Sequence, residues 1–214
     1  MTRNLPPTRL ILAAILAVAS SFMLDRWAYD HVVYARVYDQ DWGRLLRVLG
    51  FLPTWGIAAL ALWMHERGIM AHAKRRALLL VASPAVSGIA GELLKLVFRR
   101  ERPQAHDGAY YFRPFTERPF STSGLALPSS HTIVAFGAAA MLAYLFPRAR
   151  WLWFALAAGC AVSRLLARAH FLSDTVVAGL VALTTTALLW RRFGGAPAST
   201  TSFATPGSPA APRA

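Results

Sequence analysis

Cysteine and acidic residues are scarce in this chain, and charge of any sign is thin. The single cysteine, Cys160, lies inside an apolar run. It can form no intrachain disulfide, reads as a small packing residue, and leaves the redox compartment open. Charged residues make up 15% of the chain and apolar residues 56%, where a soluble domain carries roughly a quarter and a half. That imbalance points to a membrane protein. No cluster of carboxylates and histidines occurs at metal-ligand spacing, so neither metal nor other cofactor is expected. Ten acidic residues against 23 basic ones leave a formal charge of +13. No basic stretch is long or aromatic-interleaved enough to grip nucleic acid, and the arginines cluster between apolar runs. No internal repeat is evident.

What the sequence does have is a succession of long apolar runs. The first, Leu10 to Leu24, follows Arg3 and Arg9 and carries no charge. It reads as a membrane helix or as a signal peptide ending near Ala17-Val18-Ala19. From Asp25 to Arg47, Trp27, Tyr29, Tyr34, Tyr38 and Trp42 are mixed with charges, the composition of a segment lying along a membrane interface. A second run spans Val48 to Met64, with Pro53 near its start, and a basic loop follows from His65 to Arg76. The third run, Ala77 to Phe98, is long enough to span at about 1.5 Å per residue. It holds Glu92 and Lys95, three apart and able to meet on one helical face. A loop rich in Arg, Pro and aromatic residues covers Arg99 to Leu127.

The fourth run goes from Ser129 to Phe146, the fifth from Trp151 to Leu166 and the sixth from Phe171 to Trp190. The expected fold is all-α: a polytopic six-transmembrane-helix bundle over residues 1–193, with an interfacial segment after helix 1. Residues 194–214 are Ala, Pro, Ser, Thr and Gly-rich, too poor in large apolar side chains to fold, and are expected to be disordered.

Three polar constellations interrupt the apolar runs: Lys95-x6-Arg102-Pro103, Pro128-Ser129-Ser130-His131, and Ser163-Arg164-x5-His170-x3-Asp174. Cations and imidazoles are expensive in lipid and tolerable only at helix ends. Lys95 closes the third run and His131 opens the fourth, while the last constellation falls two crossings later. Two crossings return the chain to the same side, so all three should share one face. The 23 Lys and Arg divide eleven and twelve between the two sides, so a bare count does not orient the chain. Compact basic loops on the side of the termini favour that side as the inside.

The residue types suit a phosphate. Lys95, Arg102 and Arg164 are three cations for its oxygens. Ser129 and Ser130 open a helix, where free amides attract an anion. His131 is placed to protonate a leaving oxygen. His170 and Asp174 are four apart and share a helical face, so the carboxylate can fix one ring nitrogen and leave the other as nucleophile.

Taken in order, these spacings resemble the three signature motifs of the type 2 phosphatidic acid phosphatase (PAP2) superfamily, in its bacterial membrane lipid phosphatase branch. One position departs, because the second motif usually reads Pro-Ser-Gly-His and Ser130 stands here for the glycine. Its amide remains, so tolerance is expected, with a tighter pocket and a narrower substrate range. The resemblance implies six membrane helices, no metal, and an active site at the outer face of the plasma (inner) membrane, towards the periplasm or exterior. It implies His170 as nucleophile oriented by Asp174, and His131 as the acid that would later activate water. Lys95, Arg102, Arg164, Ser129 and the Ser130 amide would bind phosphoryl oxygens. The substrate would be a lipid phosphate in the bilayer: undecaprenyl diphosphate, phosphatidate, phosphatidylglycerol phosphate or a lipid A phosphate. A non-catalytic lipid-phosphate binder or flippase is the alternative from another class. A vanadate-dependent haloperoxidase shares the motifs, but its known forms are soluble. Oligomeric state is left open.

Overall fold

The computed structural model describes residues 6–194, in which seven α-helices and three short 3₁₀ turns carry the chain and no strand forms. The helices are α1 (Pro7–His31), α2 (Asp41–Val48), α3 (Leu52–Glu66), α4 (Ala73–Phe98), α5 (Ser130–Leu145), α6 (Arg150–Leu166) and α7 (Leu172–Phe193). The all-α expectation holds. Four elements are long and apolar enough to cross a membrane: α1, α4, α6 with the turn before it, and α7. Helices α2 and α3 meet at 71° and together would make a fifth, bent span. Helix α5 has 16 residues, about 24 Å of rise, less than the roughly 30 Å of a hydrocarbon core. On length and composition four to five of the described elements qualify as spans, and α5 is a shorter apolar helix, so the expected count of six is met only in part.

The short helix is the centre of the bundle. Helix α5 is apolar on every side, and Ile133, Ala135, Ala138, Ala139 and Met141 are buried against α4, α6 and α7, as befits a helix with no polar face. Small residues let its neighbours approach. A Cβ added at Gly137 would lie 3.0 Å from Pro84 Cα and from Ser87 Oγ. With no hydrophobic drive between helices in lipid, close packing and hydrogen bonds hold them. Ser83 donates to the Gly137 carbonyl at 2.8 Å and pairs with Thr186 at 2.7 Å, while Ser87 pairs with Thr185 at 2.6 Å. These bonds tie α4 to α5 and α7. The outer faces carry exposed Leu10, Ile15, Ile57, Leu93, Val97 and Leu188, an apolar surface far larger than a soluble monomer presents.

Two boundaries differ from the sequence expectation. Helix α1 continues past Leu24 because Ser21, Asp25, Ala28 and Tyr29 form one buried stripe at helical spacing, and α1 packs on α7. The interfacial segment thus loses its start to α1 and its end to α2. Helix α4 begins at Ala73 and takes up the basic residues 74–76; Arg76 Nε reaches both Glu66 oxygens at 3.1 and 2.9 Å. The tail expected to be disordered lies, apart from Gly194, outside the described residues.

The two ends of the bundle are chemically distinct. One gathers the Arg76–Glu66 pair, Arg76 over the Phe146 ring at 5.3 Å, and Tyr144 stacked on Trp190 at 4.7 Å. The other receives the C-termini of α1, α4 and α6 and the N-termini of α5 and α7.

Gly137→Val should push α4 off α5 and lower stability by about 1–3 kcal/mol, the usual effect of overpacking. A reduced unfolding temperature in detergent checks this; an unchanged midpoint would mean that the crossing is not close-packed.

Candidate functional site

Three chain segments build this end of the bundle, and each is shaped by how a helix stops. Helix α4 ends at Arg99 in the left-handed region, φ 55°, a conformation costing an L-residue about 1–2 kcal/mol. The Arg99 side chain offsets it. Fully buried, it donates to the carbonyls of Arg113, Pro114, Glu117 and Pro119. Arg113 donates from Nε to Glu101 at 2.6 Å and from Nη2 to the Ser123 carbonyl at 2.8 Å. The Glu101 carboxyl is held below its usual range, first by its hydrogen bond with His106 and then by Arg113. Two arginines thus wrap the loop 99–127 around their own side chains, and Arg102 is carried inward by its backbone bond to Gly124 at 3.1 Å.

Helix α5 starts on a cap. The Ser129 hydroxyl accepts from the Thr132 amide at 3.5 Å and the Thr132 hydroxyl at 3.0 Å, and is buried. The first-turn amides of Ser130 and His131 have no acceptor within the helix, and such a helix start favours an anion. Ser129 N–H donates to the Asp174 carbonyl at 3.1 Å, fastening α5 to α7. Helix α6 ends through Arg168, φ 52°, with Ala169 N–H returning to the Arg164 carbonyl at 3.1 Å, a left-handed stop that turns His170 back over the bundle.

The structure brings the sequence-predicted residues together here. His170 Nδ1 lies 3.3 Å from Asp174 Oδ2, which also accepts the Phe171 amide at 2.8 Å. Nδ1 is thereby occupied and Nε2 is the free nitrogen. Burial pulls the His170 imidazole down to about 4, against the opposing pull of Asp174, so the ring is neutral at physiological pH. The charges of Arg164, Arg47, His170 and Arg102 all bear on His131, which places the two imidazoles among three arginines. Arg164, buried, donates to the Tyr38 hydroxyl at 2.6 Å, and Tyr38 donates in turn to the Ser163 carbonyl at 3.0 Å. The Nε groups of both Arg102 and Arg164 are buried without a hydrogen-bond partner among the described residues. Buried donors left unpaired are unfavourable, and an oxyanion between them would satisfy both.

Two predicted residues are differently engaged. The Ser129 hydroxyl serves the cap, leaving backbone amides as that helix's donors. Lys95 is buried and bonded to both Glu92, at 2.8 Å, and the Ser130 hydroxyl, which itself donates to Glu92 at 2.7 Å. Its charge is shared before any ligand arrives.

Four participants were not among the residues singled out. Arg100 is buried and pairs with Asp174 Oδ1 and, at 3.5 Å, with Asp25 Oδ2. Asp25 is buried in the C-terminal third of α1. Tyr38 and Arg47 fall in the segment whose composition is that of a membrane interface; Arg47 lies over the Tyr38 ring at 4.9 Å. The one signal for Asp25 and Arg100 was position: an acid closing an apolar run, and an arginine next to the first constellation. Gly50 has a steric role, since a Cβ there would meet His131 Cβ at 2.6 Å. Among the described residues no group of three or more His, Cys, Asp or Glu could hold a metal ion.

The family model described as the PAP2 superfamily matches residues 76–196, the segment that contains all three constellations. No curated protein and no solved structure matches the chain.

Tyr38→Phe should free the Arg164 fork and weaken orthophosphate binding by about tenfold, the equivalent of one hydrogen bond to a charged group. Isothermal titration in detergent reads this; an affinity equal to wild type would separate Arg164 from anion binding.

Proposed function

Because the chain belongs to the PAP2 superfamily, whose members are generally phosphatases, we propose that it is an integral membrane phosphatase acting on a lipid phosphate through His170. The observation that carries this reading is the His170–Asp174 pair set among Arg102, Arg164 and His131, with the Nε donors of both arginines buried and unpaired among the described residues. Such an arrangement suits in-line displacement at phosphorus, where positioning and fixed positive charge carry most of the catalysis.

His170 Nε2 attacks phosphorus, forming a P–N bond while the bond from phosphorus to the lipid oxygen breaks. His131 gives its proton to that departing oxygen; the bound phosphate dianion favours the imidazolium it needs. Water then attacks the phosphohistidine, His131 accepts the water's proton, the P–N bond breaks, and orthophosphate leaves with His170 restored. Arg102, Arg164 and the Ser130 and His131 amides hold the phosphoryl oxygens throughout. Lys95, shared with Glu92 and Ser130, holds the near edge of the pocket.

A lipid substrate is supported by the surroundings. An apolar cavity of about 330 Å³ lies between α6 and α7, over Phe136, lined by Leu165, Leu172, Val176 and Leu183. Leu165 follows Arg164 and Leu172 lies two residues after His170, so a hydrocarbon chain in that cavity would leave its headgroup at the site. The substrate could be a monoester (phosphatidate, phosphatidylglycerol phosphate or a lipid A phosphate) or undecaprenyl diphosphate. The compact basic loops favour the inner membrane with the site towards the periplasm or exterior.

Purified full-length protein in detergent should release phosphate from at least one of these lipids with chelator present. His170→Ala should lower kcat by about three orders of magnitude or more, as loss of a nucleophile does; full activity in that variant would sink the mechanism. Headgroup binding without turnover in the wild type would instead identify a binder. Because His170 is depressed to about 4 and must be neutral to attack, the acid limb of kcat/KM that reports its protonation should appear only towards pH 4. A fall centred at the ordinary histidine value near 6.5 would contradict the buried environment described.

A further inference from the structure

The buried network behind Asp174 has no part in the mechanism above, and its geometry is unusual. Asp174 is held on both oxygens. Oδ2 accepts from the Phe171 amide and faces His170, while Oδ1 accepts from Arg100 Nη2. The same Nη2 donates to the Ser173 hydroxyl at 2.7 Å. The other arm of Arg100 faces Asp25 Oδ2 at 3.5 Å. Asp25 is in turn saturated with donors: the Ser173 amide at 2.7 Å, the Ser173 hydroxyl, and the Tyr110 hydroxyl at 2.7 Å. The rings of Phe22, Tyr110 and Phe171 cover the guanidinium at 5.1, 5.1 and 4.9 Å. One buried cation is divided between two buried carboxylates.

Resting on the phosphatase reading, we infer that Asp25 and Arg100 are positioning residues for phosphoryl transfer, and that Asp25 tunes the basicity of His170 through Arg100 and Asp174. In a dry site the charge that Arg100 gives to Asp25 is charge withheld from Asp174. Asp174 therefore keeps more of its negative character for His170, which gains a positive charge as it attacks. Were Asp25 neutral, Arg100 would turn wholly to Asp174 and draw that character away. The groups facing His170 are Asp174 from α7, Arg164 from α6, Arg102 from the 99–127 loop and His131 from α5. Asp174 is the anion of this group and the one that faces the His170 ring at 3.3 Å, so a change in its charge acts on His170 directly. Asp25 lies on α1, outside the segment that carries the family's motifs.

Two single variants act in opposite directions on this arrangement. Asp25→Asn removes the competing carboxylate. Tyr110→Phe keeps the ring over Arg100 but removes one donor from Asp25, leaving Asp25 more negative and a stronger competitor. The readouts are the ¹⁵N titration of the His170 ring in the detergent-solubilised full chain and the acid limb of kcat/KM for phosphate release. The midpoint in Asp25→Asn should fall by about one pH unit, with kcat down by about tenfold and KM within about threefold of wild type. The midpoint in Tyr110→Phe should rise by a few tenths of a unit. Should Asp25→Asn fold poorly, the rise in Tyr110→Phe decides alone. Midpoints equal to wild type in the folded variants, or a loss of thermal stability with no shift, would overturn the inference and leave Asp25 a packing partner. A wild-type chain that releases no phosphate would overturn the phosphatase reading instead, and the ring titration would still decide this one.

Discussion

A guanidinium shut away from water must find its counter-charge in protein, and Arg100 finds two, on helices at opposite ends of the chain. Asp25 belongs to α1 and Asp174 to α7, and the loop that carries Arg100 leaves α4. Removing Arg100 would leave two buried carboxylates uncompensated, and breaking such a buried set typically costs about 3–5 kcal/mol. Three elements are therefore fixed relative to one another at the point where His170 must be oriented. The network does little for raw stability compared with an apolar core of equal volume, and its consequence is geometric. It joins α1, α7 and the loop 99–127 in one register.

The central helix supplies the other constraint. Helix α5 touches α4, α6 and α7, and its first turn presents the Ser130 and His131 amides at the level of Asp174. Because α5 is shorter than a membrane is thick, its start lies where the neighbouring helices have not yet ended. The polar chemistry is then recessed below the ends of α4 and α6. Gly137 and Gly50 allow this from opposite directions: one lets α4 close on α5, the other lets the α2–α3 corner rest on His131. Basic side chains at that recessed level are costly unless they are matched. Lys95 has Glu92 and Arg164 has Tyr38, while the Nε donors of Arg102 and Arg164 have no partner among the described residues.

Much of this site was legible because charge in an apolar run is conspicuous. Lys95, His131, Arg164 and His170 interrupt stretches that otherwise read as lipid-facing, and the spacings of their motifs are specific as a set. Asp25, Tyr38 and Arg47 were illegible for the opposite reason. They sit in a segment whose mixture of aromatic and charged residues is what a membrane interface looks like, and nothing local distinguishes a buried aspartate there from a solvated one. Ser129 shows a different ambiguity: a serine at a helix start is equally suited to capping and to binding, and the hydroxyl has gone to the cap. Apolarity alone does not show lipid contact. Helix α5 is the most uniformly apolar of the set and faces other helices.

By itself the sequence determined the class of protein, since periodicity and hydropathy are local properties of twenty-odd residues. It also determined that the three constellations could share one face, because that follows from counting crossings. Tertiary structure alone decided which partner each charge has. The Ser173 amide finds Asp25 across 148 residues, and Arg100 finds Asp174 across 74. Pairing over such distances depends on how helices rotate and settle about α5, to within a fraction of an ångström, and no pattern read along the chain carries that information.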